Sequence, residues 1–200
     1  MFLVTYIIGA IPSGYWMGRL HGVDLTEHGS GSTGATNVLR LVGKWQAAVV
    51  LVFDILKGFL PIFYIKNYAL DLLLVTGFEN YILWFLLVLT FVPILAHSKS
   101  VFVAFKGGKS SATGLGVLVA INPLVALITA SIWFTAVKLS NISSMGSIVC
   151  IPLVPVWLYV FGESLAMISF GFVAFVYIVL IKHRANIKRL LDGTEPRIGD

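Results

Sequence analysis

Long apolar segments recur along the whole sequence, and their length limits what the chain can fold into. They cover residues 2–17, 45–65, 81–96, 110–137, 146–161 and 164–181. A helix needs about 20 apolar residues to cross a hydrocarbon core about 30 Å thick. Only 12% of the residues are charged and the mean hydropathy is +0.94, whereas about 25% of a typical soluble domain is charged. The sequence therefore predicts an all-α integral membrane protein.

The first apolar segment, residues 2–17, could be a signal peptide or a helix that stays in the membrane. It has no basic region before it and no small-residue cleavage site after it, and a signal peptide has both. We therefore expect a spanning helix. No repeat or low-complexity linker divides the chain, so residues 1–200 are predicted to form a single transmembrane domain. The single cysteine, Cys150, excludes an internal disulfide.

The number of spans depends on residues 110–137, which hold Asn122-Pro123 near their middle. Proline lacks an amide and disfavours helix at the residue before it. If the run forms two short helices, the chain has about seven transmembrane helices, with its N-terminus outside and its C-terminus in the cytoplasm. If the run forms one helix, there are six spans and the basic C-terminal tail lies outside. Because basic segments prefer the cytoplasm, we expect seven spans.

This topology places three polar segments in the cytoplasm, namely residues 28–40, 97–114 and 182–195. All four histidines lie in or near them. Few charged residues remain for the outer face. They are Lys66, Asp71, Glu79 and Glu163. The gathering of basic, amide and hydroxyl side chains at one membrane face predicts a functional site there.

The first polar segment reads HGSGSTGATNVLR and could be a plain flexible loop. Asn37 and Arg40 are three residues apart, so they share one face if a helix begins near Thr36. Glycines just before a helix start can present backbone amides to an anion. The pattern favours an anion-binding segment.

The second segment contains FKGGKSSATG. Its lysines, Lys106 and Lys109, could simply reflect the preference of basic residues for the cytoplasm. That preference does not explain Gly107-Gly108, which would let a backbone approach a phosphate closely. The segment is not a nucleotide P-loop, because Val103 stands where that motif needs glycine.

The third segment, KHRANIKRLLDGTE, is either a basic tail at the lipid headgroups or part of a site. His183, Asn186 and Arg189 are spaced three apart, so they share a helix face. Separately, Asp54 and Lys57 lie inside an apolar segment at i and i+3. Because charges are costly inside a membrane, we expect these two to form a structural ion pair.

These segments together resemble the bacterial acyl-phosphate:glycerol-3-phosphate acyltransferases, the PlsY family. The resemblance rests on GSGSTGATNVLR, on FKGGKSSATG preceded by His97, and on HRANIKRLLDGTE. GAIPSGYWMGRL and DILKG support it, so it covers nearly the whole chain. The chain departs from the family pattern at Ala96, at Ser32-Thr33 and at Ser110-Ser111.

The resemblance implies that a fatty acyl group moves from acyl phosphate to the 1-hydroxyl of glycerol 3-phosphate. The products would be lysophosphatidic acid and inorganic phosphate, in an early step of bacterial phospholipid synthesis. It also implies that neither acyl-CoA nor acyl carrier protein serves as donor. The expected place is the bacterial cytoplasmic (inner) membrane, with the active site on the cytoplasmic face.

The resemblance also implies roles for individual residues. The catalytic residues would be Ser30, Arg40, His183 and Asn186. The substrate-binding residues would be Ser30, Asn37, Arg40, His97, Lys106, Gly107, Gly108, Lys109, Ser110, Thr113, His183, Asn186 and Arg189. The Gly107–Lys109 turn would hold the acyl phosphate, the first and third segments would hold glycerol 3-phosphate, and Glu195 would hold the third segment in place. Either His183, with an ordinary pKa near 6.5, or a substrate phosphate could take the proton.

The H-x-x-x-x-D signature of other acyltransferases is absent. An acyl phosphate is already an activated mixed anhydride, so an enzyme that uses it can work without a carboxylate that orients a histidine base. We expect no cofactor, no metal, no nucleic acid and no obligate protein partner, and a monomer in the lipid bilayer. A phosphate transporter would more often carry inverted repeats with sites at the midplane, and a membrane scaffold would not need these polar triplets.

Overall fold

The computed structural model of the chain describes residues 1–69 and 82–199. Within these ranges the secondary structure is helical throughout, with no strand, as the composition predicted. The helices are α1 (Phe2–Ala10), α2 (Ser13–Leu20), α3 (Ala35–Leu41), α4 (Lys44–Tyr64), α5 (Ile82–Ser98), α6 (Ser111–Ile121), α7 (Pro123–Ser140), α8 (Ser143–Cys150), α9 (Val154–Val160), α10 (Leu165–Phe175) and α11 (Arg184–Leu191). Asp71 and Glu79 lie outside the described residues.

Short turns of other helix types extend these helices. They are Ile65–Ala69 after α4, Val101–Val103 after α5, Ile151–Leu153 between α8 and α9, and Val176–Lys182 after α10. In the described ranges, five continuous helical stretches are long and apolar enough to cross a membrane. They are Lys44–Tyr68, Trp84–Val103, Pro123–Ser140, Ser143–Val160 and Leu165–Lys182. The chain is therefore a multi-pass membrane protein.

The predicted break at Asn122 is confirmed. α6 ends at Ile121, Asn122 is extended, and Pro123 begins α7. The Asn122 side chain accepts hydrogen bonds from the amides of Leu124 and Val125, at 3.1 and 3.2 Å, and so caps α7. Its amide nitrogen donates to Glu163 Oε1 at 2.9 Å. The turn between α6 and α7 is thereby tied to the start of α10.

Lys66 lies at the same end of the bundle as that turn. Its Nζ donates to the carbonyl oxygens of Ala120 and Ile121 at 3.2 and 2.8 Å. Lys66, Asn122 and Glu163 therefore gather at one end, although they come from three distant parts of the sequence.

The prediction of one continuous helix over residues 2–17 is wrong in one respect, because the helix breaks at Ile11-Pro12. Proline pushes the preceding residue out of the helical region, and Ile11 has φ −52° and ψ 115°. The break frees carbonyl groups for other partners. Ile11 O accepts from Lys57 Nζ at 2.8 Å, and Ala10 O accepts from Ser100 Oγ at 2.6 Å.

Asp54 and Lys57 are both buried in α4, with Lys57 Nζ 2.8 Å from Asp54 Oδ1. This is the ion pair that the i, i+3 spacing predicted. Ser13 Oγ donates to the same carboxylate oxygen at 2.7 Å. The pair is therefore hydrogen-bonded on both sides, as buried charges in a membrane need to be.

α4 and α6 touch at backbone level. A Cβ built on Gly58 would overlap the carbonyl oxygen of Thr113, and one built on Gly116 would overlap that of Ile55. Small residues permit such close approach between membrane helices, where packing rather than hydrophobicity drives association. This contact fixes the start of α6, and with it the second polar segment, against α4.

Candidate active site

The three polar segments meet at one end of a cavity of about 420 Å³. Its polar lining includes Ser30, Asn37, Arg40, Asp54, His97, Lys109, Ser110, His183, Asn186 and Glu195. The rest of its wall is apolar and includes Leu115, Leu118, Trp133, Phe134, Ile151 and Phe170. One continuous cavity therefore offers a cationic, hydrogen-bonding end and a long apolar slot.

The buried carboxylate of Glu195 organises the polar end. Ser144 Oγ donates to Oε1 at 2.6 Å, Asn186 Nδ2 to Oε1 at 2.5 Å and Arg189 Nε to Oε2 at 2.7 Å. Burial raises the pKa of the Glu195 carboxyl, but hydrogen bonds from Ser144, Asn186 and Arg189 outweigh it and lower this pKa overall. Glu195 is therefore ionised at neutral pH and holds α11 against α8.

Lys109 joins the second polar segment to the third. Its Nζ donates to Asn186 Oδ1 at 2.7 Å. Burial lowers the pKa of Lys109 to about 8, and the neighbouring Arg189 and Arg40 add to the fall against the opposing effect of Glu195. An anion bound here would raise this pKa again, because it would stabilise the ammonium form.

His183 has a fixed tautomer. Its Nδ1 lies 2.7 Å from Ile178 O, and because a carbonyl can only accept, Nδ1 carries the proton. Nε2 is then a lone-pair acceptor. Burial lowers the pKa of His183 to about 4, and Lys109 and Lys182 contribute smaller effects in the same direction. The imidazole is therefore neutral at neutral pH, chiefly because it is buried and only secondarily because its surroundings are cationic.

In the first polar segment, Asn37 is used by the loop itself. Its Oδ1 accepts from the Ser30 amide at 3.0 Å, while its Nδ2 donates to Leu25 O and His28 O at 3.2 and 3.1 Å. Gly29, with φ +62°, passes so close that a Cβ would overlap Asn37 Oδ1. Asn37 therefore lines the cavity, and its hydrogen bonds also hold the loop of the first polar segment in shape.

Arg40 reaches the cavity from α3. Its Nη2 donates to Pro196 O at 3.2 Å, which links the first segment to the C-terminal tail. Its Nε is buried without a hydrogen-bond partner in the described structure. A buried, unpaired guanidinium N–H is unfavourable, so Arg40 has donor capacity left for an anion in the cavity.

The glycine pair of the second segment packs against His97. The Gly108 amide donates to His97 O at 3.2 Å, so it is not free to form the expected anion nest. A Cβ on Gly108 would overlap His97 Nε2, and a Cβ on Gly107 would overlap His97 O. His97 Nδ1 lies 3.6 Å from Asp54 Oδ1, too far for a hydrogen bond.

Several predicted site residues do not line the cavity. Lys106 is exposed, and Arg189 acts on Glu195 from the side. Thr113 is buried against Gly58, with its hydroxyl unpaired. Ser110 lines the cavity, but its Oγ donates to Ile94 O at 2.7 Å. The predicted roles of these four residues in binding substrate stay predictions.

The sequence reasoning did not single out the serines of α8. Ser143 Oγ lies 2.9 Å from Thr36 Oγ1, Ser144 binds Glu195, and Ser147 Oγ donates to Ser111 Oγ at 2.9 Å. Their spacing of i, i+1 and i+4 on a helix in an otherwise apolar region is the signal that could have found them. Among the described residues, no group of three His, Cys, Asp or Glu side chains could hold a metal ion.

Comparison with known proteins shows the family of this chain. The sequence model of the glycerol-3-phosphate acyltransferase family matches residues 1–193. The glycerol-3-phosphate acyltransferase of Thermosynechococcus vestitus is 40% identical over 198 residues, which cover 98% of this chain and 93% of that protein. The enzyme of Trichormus variabilis is 45% identical over 204 residues, covering 98% and 90%.

Solved structures give the same result. Crystal structures of PlsY (YgiH), an integral membrane glycerol 3-phosphate acyltransferase, match with TM-scores of 0.87 in the glycerol 3-phosphate form and 0.85 in the lysophosphatidic acid form. Both are 35% identical to this chain and cover 99% of it, and the chain covers 94% and 93% of them. This membrane protein belongs to the glycerol-3-phosphate acyltransferase family.

The contact between Gly108 and His97 generates a prediction. Gly108→Ala places a methyl group where the imidazole lies, so the second segment should shift and activity should fall by at least about tenfold, the factor that 1.4 kcal/mol gives. In a His97→Ala background the same change should cost little further activity. A double-mutant cycle on kcat/KM measures this coupling. Additive losses would show that Gly108 acts independently of His97.

Proposed function

We propose that the protein transfers a fatty acyl group from acyl phosphate to the 1-hydroxyl of glycerol 3-phosphate. The hydroxyl oxygen attacks the acyl carbonyl carbon, a new ester bond forms, and the carbon–oxygen bond to phosphate breaks. The products are lysophosphatidic acid and inorganic phosphate. The observation that carries the proposal is the single cavity with a cationic end and an apolar slot, which matches a phosphate joined to a fatty chain.

The polar end supplies the groups that two phosphates need. Arg40 has an unpaired buried N–H, and Lys109 is a half-buried amine whose protonation an anion would favour. Arginine and lysine both bind phosphate, arginine in a bidentate way and lysine as a point charge. We assign Arg40 and Ser30 to glycerol 3-phosphate and Lys109 to the acyl phosphate, with Asn186 between the two sites.

The weak base in the site supports the proposal of an acyl-phosphate donor. His183 is oriented by the carbonyl of Ile178, and among residues 1–69 and 82–199 no carboxylate is hydrogen-bonded to its Nδ1. A buried imidazole whose pKa has fallen to about 4 is a poor proton acceptor at neutral pH. An acyl phosphate needs less help from a base than a less reactive donor, because phosphate is a good leaving group.

The same observation favours a substrate phosphate as the proton acceptor. A phosphate monoester has a second pKa of about 6 and is mostly dianionic at neutral pH. His183 Nε2 then accepts a hydrogen bond from the 2-hydroxyl of glycerol 3-phosphate, which positions the 1-hydroxyl for attack and leaves the proton of the 1-hydroxyl free to pass to phosphate. In this mechanism His183 acts by binding and orientation, and the proton goes to a phosphate oxygen already in the cavity.

The donor assignment is tested directly with purified protein and glycerol 3-phosphate. Palmitoyl phosphate should give lysophosphatidic acid and inorganic phosphate in equal amounts. Palmitoyl-CoA and palmitoyl carrier protein, at equal concentration, should give no product above the rate without protein. Product from either thioester at a rate equal to that from palmitoyl phosphate would refute the proposed donor.

The role of His183 is tested by substitution. His183→Gln keeps a hydrogen-bond acceptor, so it should recover much of the activity that His183→Ala loses, and the KM for glycerol 3-phosphate should account for most of the loss. Because His183 is protonated only near pH 4, an acid limb of kcat near pH 6 should persist in His183→Gln. Loss of that limb with KM unchanged would identify His183 as the general base.

We also propose that the protein lies in the bacterial cytoplasmic membrane as a monomer with seven spans. The five long apolar stretches, together with the broken α1–α2 pair and the short α6, supply seven passes. Lys66, Asn122 and Glu163 gather at the end that we assign to the outside. The cavity's cationic end opens to the cytoplasm, where soluble glycerol 3-phosphate is available.

This orientation predicts a labelling pattern in a Cys150→Ser background. Glu163→Cys should react with an impermeant thiol reagent added outside intact cells. Leu191→Cys, at an exposed position on α11, should react only after the membrane is permeabilised. Labelling of position 191 in intact cells would contradict the assigned orientation.

A further inference from the structure

The apolar slot has a closed end. On four of the helices that line the cavity, the lining residue farthest from the polar end is buried, and these residues are Leu118 on α6, Thr129 on α7, Val154 on α9 and Phe170 on α10. Phe170 is 1% exposed and is among the largest fully buried side chains described. Thr129 Oγ1 donates to Val125 O at 2.7 Å, so its hydroxyl is satisfied and leaves the end apolar.

One helical turn beyond these residues the slot is sealed. Along the same four helices, Ile121, Val125, Leu158 and Met167 lie about one turn further from the polar end, and all four are buried in the main hydrophobic core. None of the four lines the cavity. The slot therefore ends against packed side chains, and a longer chain would have to displace the core.

The depth of the slot follows from helix geometry. Ser144 contacts Glu195 at the polar end, and Val154 lies ten residues further along the same span. At about 1.5 Å per residue, the slot is about 15 Å deep. A rigid end at a fixed depth discriminates between chains of different length, because close-packed interiors resist added volume.

We propose that Leu118, Thr129, Val154 and Phe170 form the floor of the acyl slot and set the longest acyl chain that the enzyme uses well. The proposal rests on the proposed acyl transfer, since it concerns the donor's fatty chain. Phe170 is the main determinant, because it has the largest side chain of the four. Val154 is the second, because its short side chain leaves volume that a larger residue would fill.

The test compares lauroyl, myristoyl, palmitoyl and stearoyl phosphate as donors in detergent. Phe170→Ala deepens the slot, so the kcat/KM ratio of stearoyl to lauroyl phosphate should rise by at least about fourfold, the factor that one buried methylene group gives. Val154→Phe raises the floor, and the same ratio should fall by a similar factor. A ratio within each variant is insensitive to the amount of folded enzyme.

A matched control separates the floor from general core damage. Leu89 is 1% exposed but does not line this cavity, so Leu89→Ala should lower thermal stability while leaving the ratio unchanged. Phe170→Leu removes less volume, should fold more easily, and should shift the ratio in the same direction as Phe170→Ala. A wild-type enzyme that uses no acyl phosphate at all would refute the proposed function itself.

In the alternative arrangement, the acyl chain of the donor leaves the cavity sideways into the bilayer. Leu51 on α4 and Phe134 on α7 line the cavity, although they are 42% and 63% exposed. If the chain left between them, Phe134→Ala would change the stearoyl-to-lauroyl ratio and the two Phe170 variants would not. That outcome would refute the proposal that the floor residues set the longest acyl chain. If the stearoyl-to-lauroyl ratio stays unchanged in Phe134→Ala but shifts in Phe170→Ala, the proposed floor is supported.

Discussion

The buried carboxylate of Glu195 is the interaction on which the polar end of the cavity depends. It accepts hydrogen bonds from α8, through Ser144, and from α11, through Asn186 and Arg189. Asn186 in turn accepts from Lys109 at the start of the second segment. One ionised side chain thus connects three parts of the chain, and its lowered pKa reports how well it is satisfied. Lys109 and Asn186, which we propose to contact the substrates, are positioned through this carboxylate.

The membrane imposes a second condition, which is that polar groups inside it find partners within the protein. The break at Pro12 frees the carbonyls of Ala10 and Ile11, and Ser100 and Lys57 bind them. Lys57 also pairs with Asp54, so the same ion pair supports the helix break. Irregular backbone near the site is therefore tolerated because side chains from other helices complete its hydrogen bonds.

The chemistry that we propose uses a site with strong cations and a weak base. Lys109 and Arg40 can stabilise phosphate charge, whereas neutral His183 can only orient a hydroxyl. Such a site suits a donor that is already activated. In our proposal the apolar slot below it binds the acyl chain, and the buried floor of the slot limits the length of that chain.

The sequence by itself determined the class of fold, the break at Asn122-Pro123, the Asp54–Lys57 pair and the meeting of three polar segments. Each follows from local rules, namely apolar length, proline geometry, helical spacing and the distribution of basic residues. Only the tertiary structure decided which way side chains point. It turned Asn37 toward its own loop, packed Gly108 on His97, brought Ser144 of α8 to Glu195 and set Phe170 at the end of the slot. Those contacts join residues that lie seven or more positions apart, beyond the three- and four-residue spacings from which a helix face is predicted.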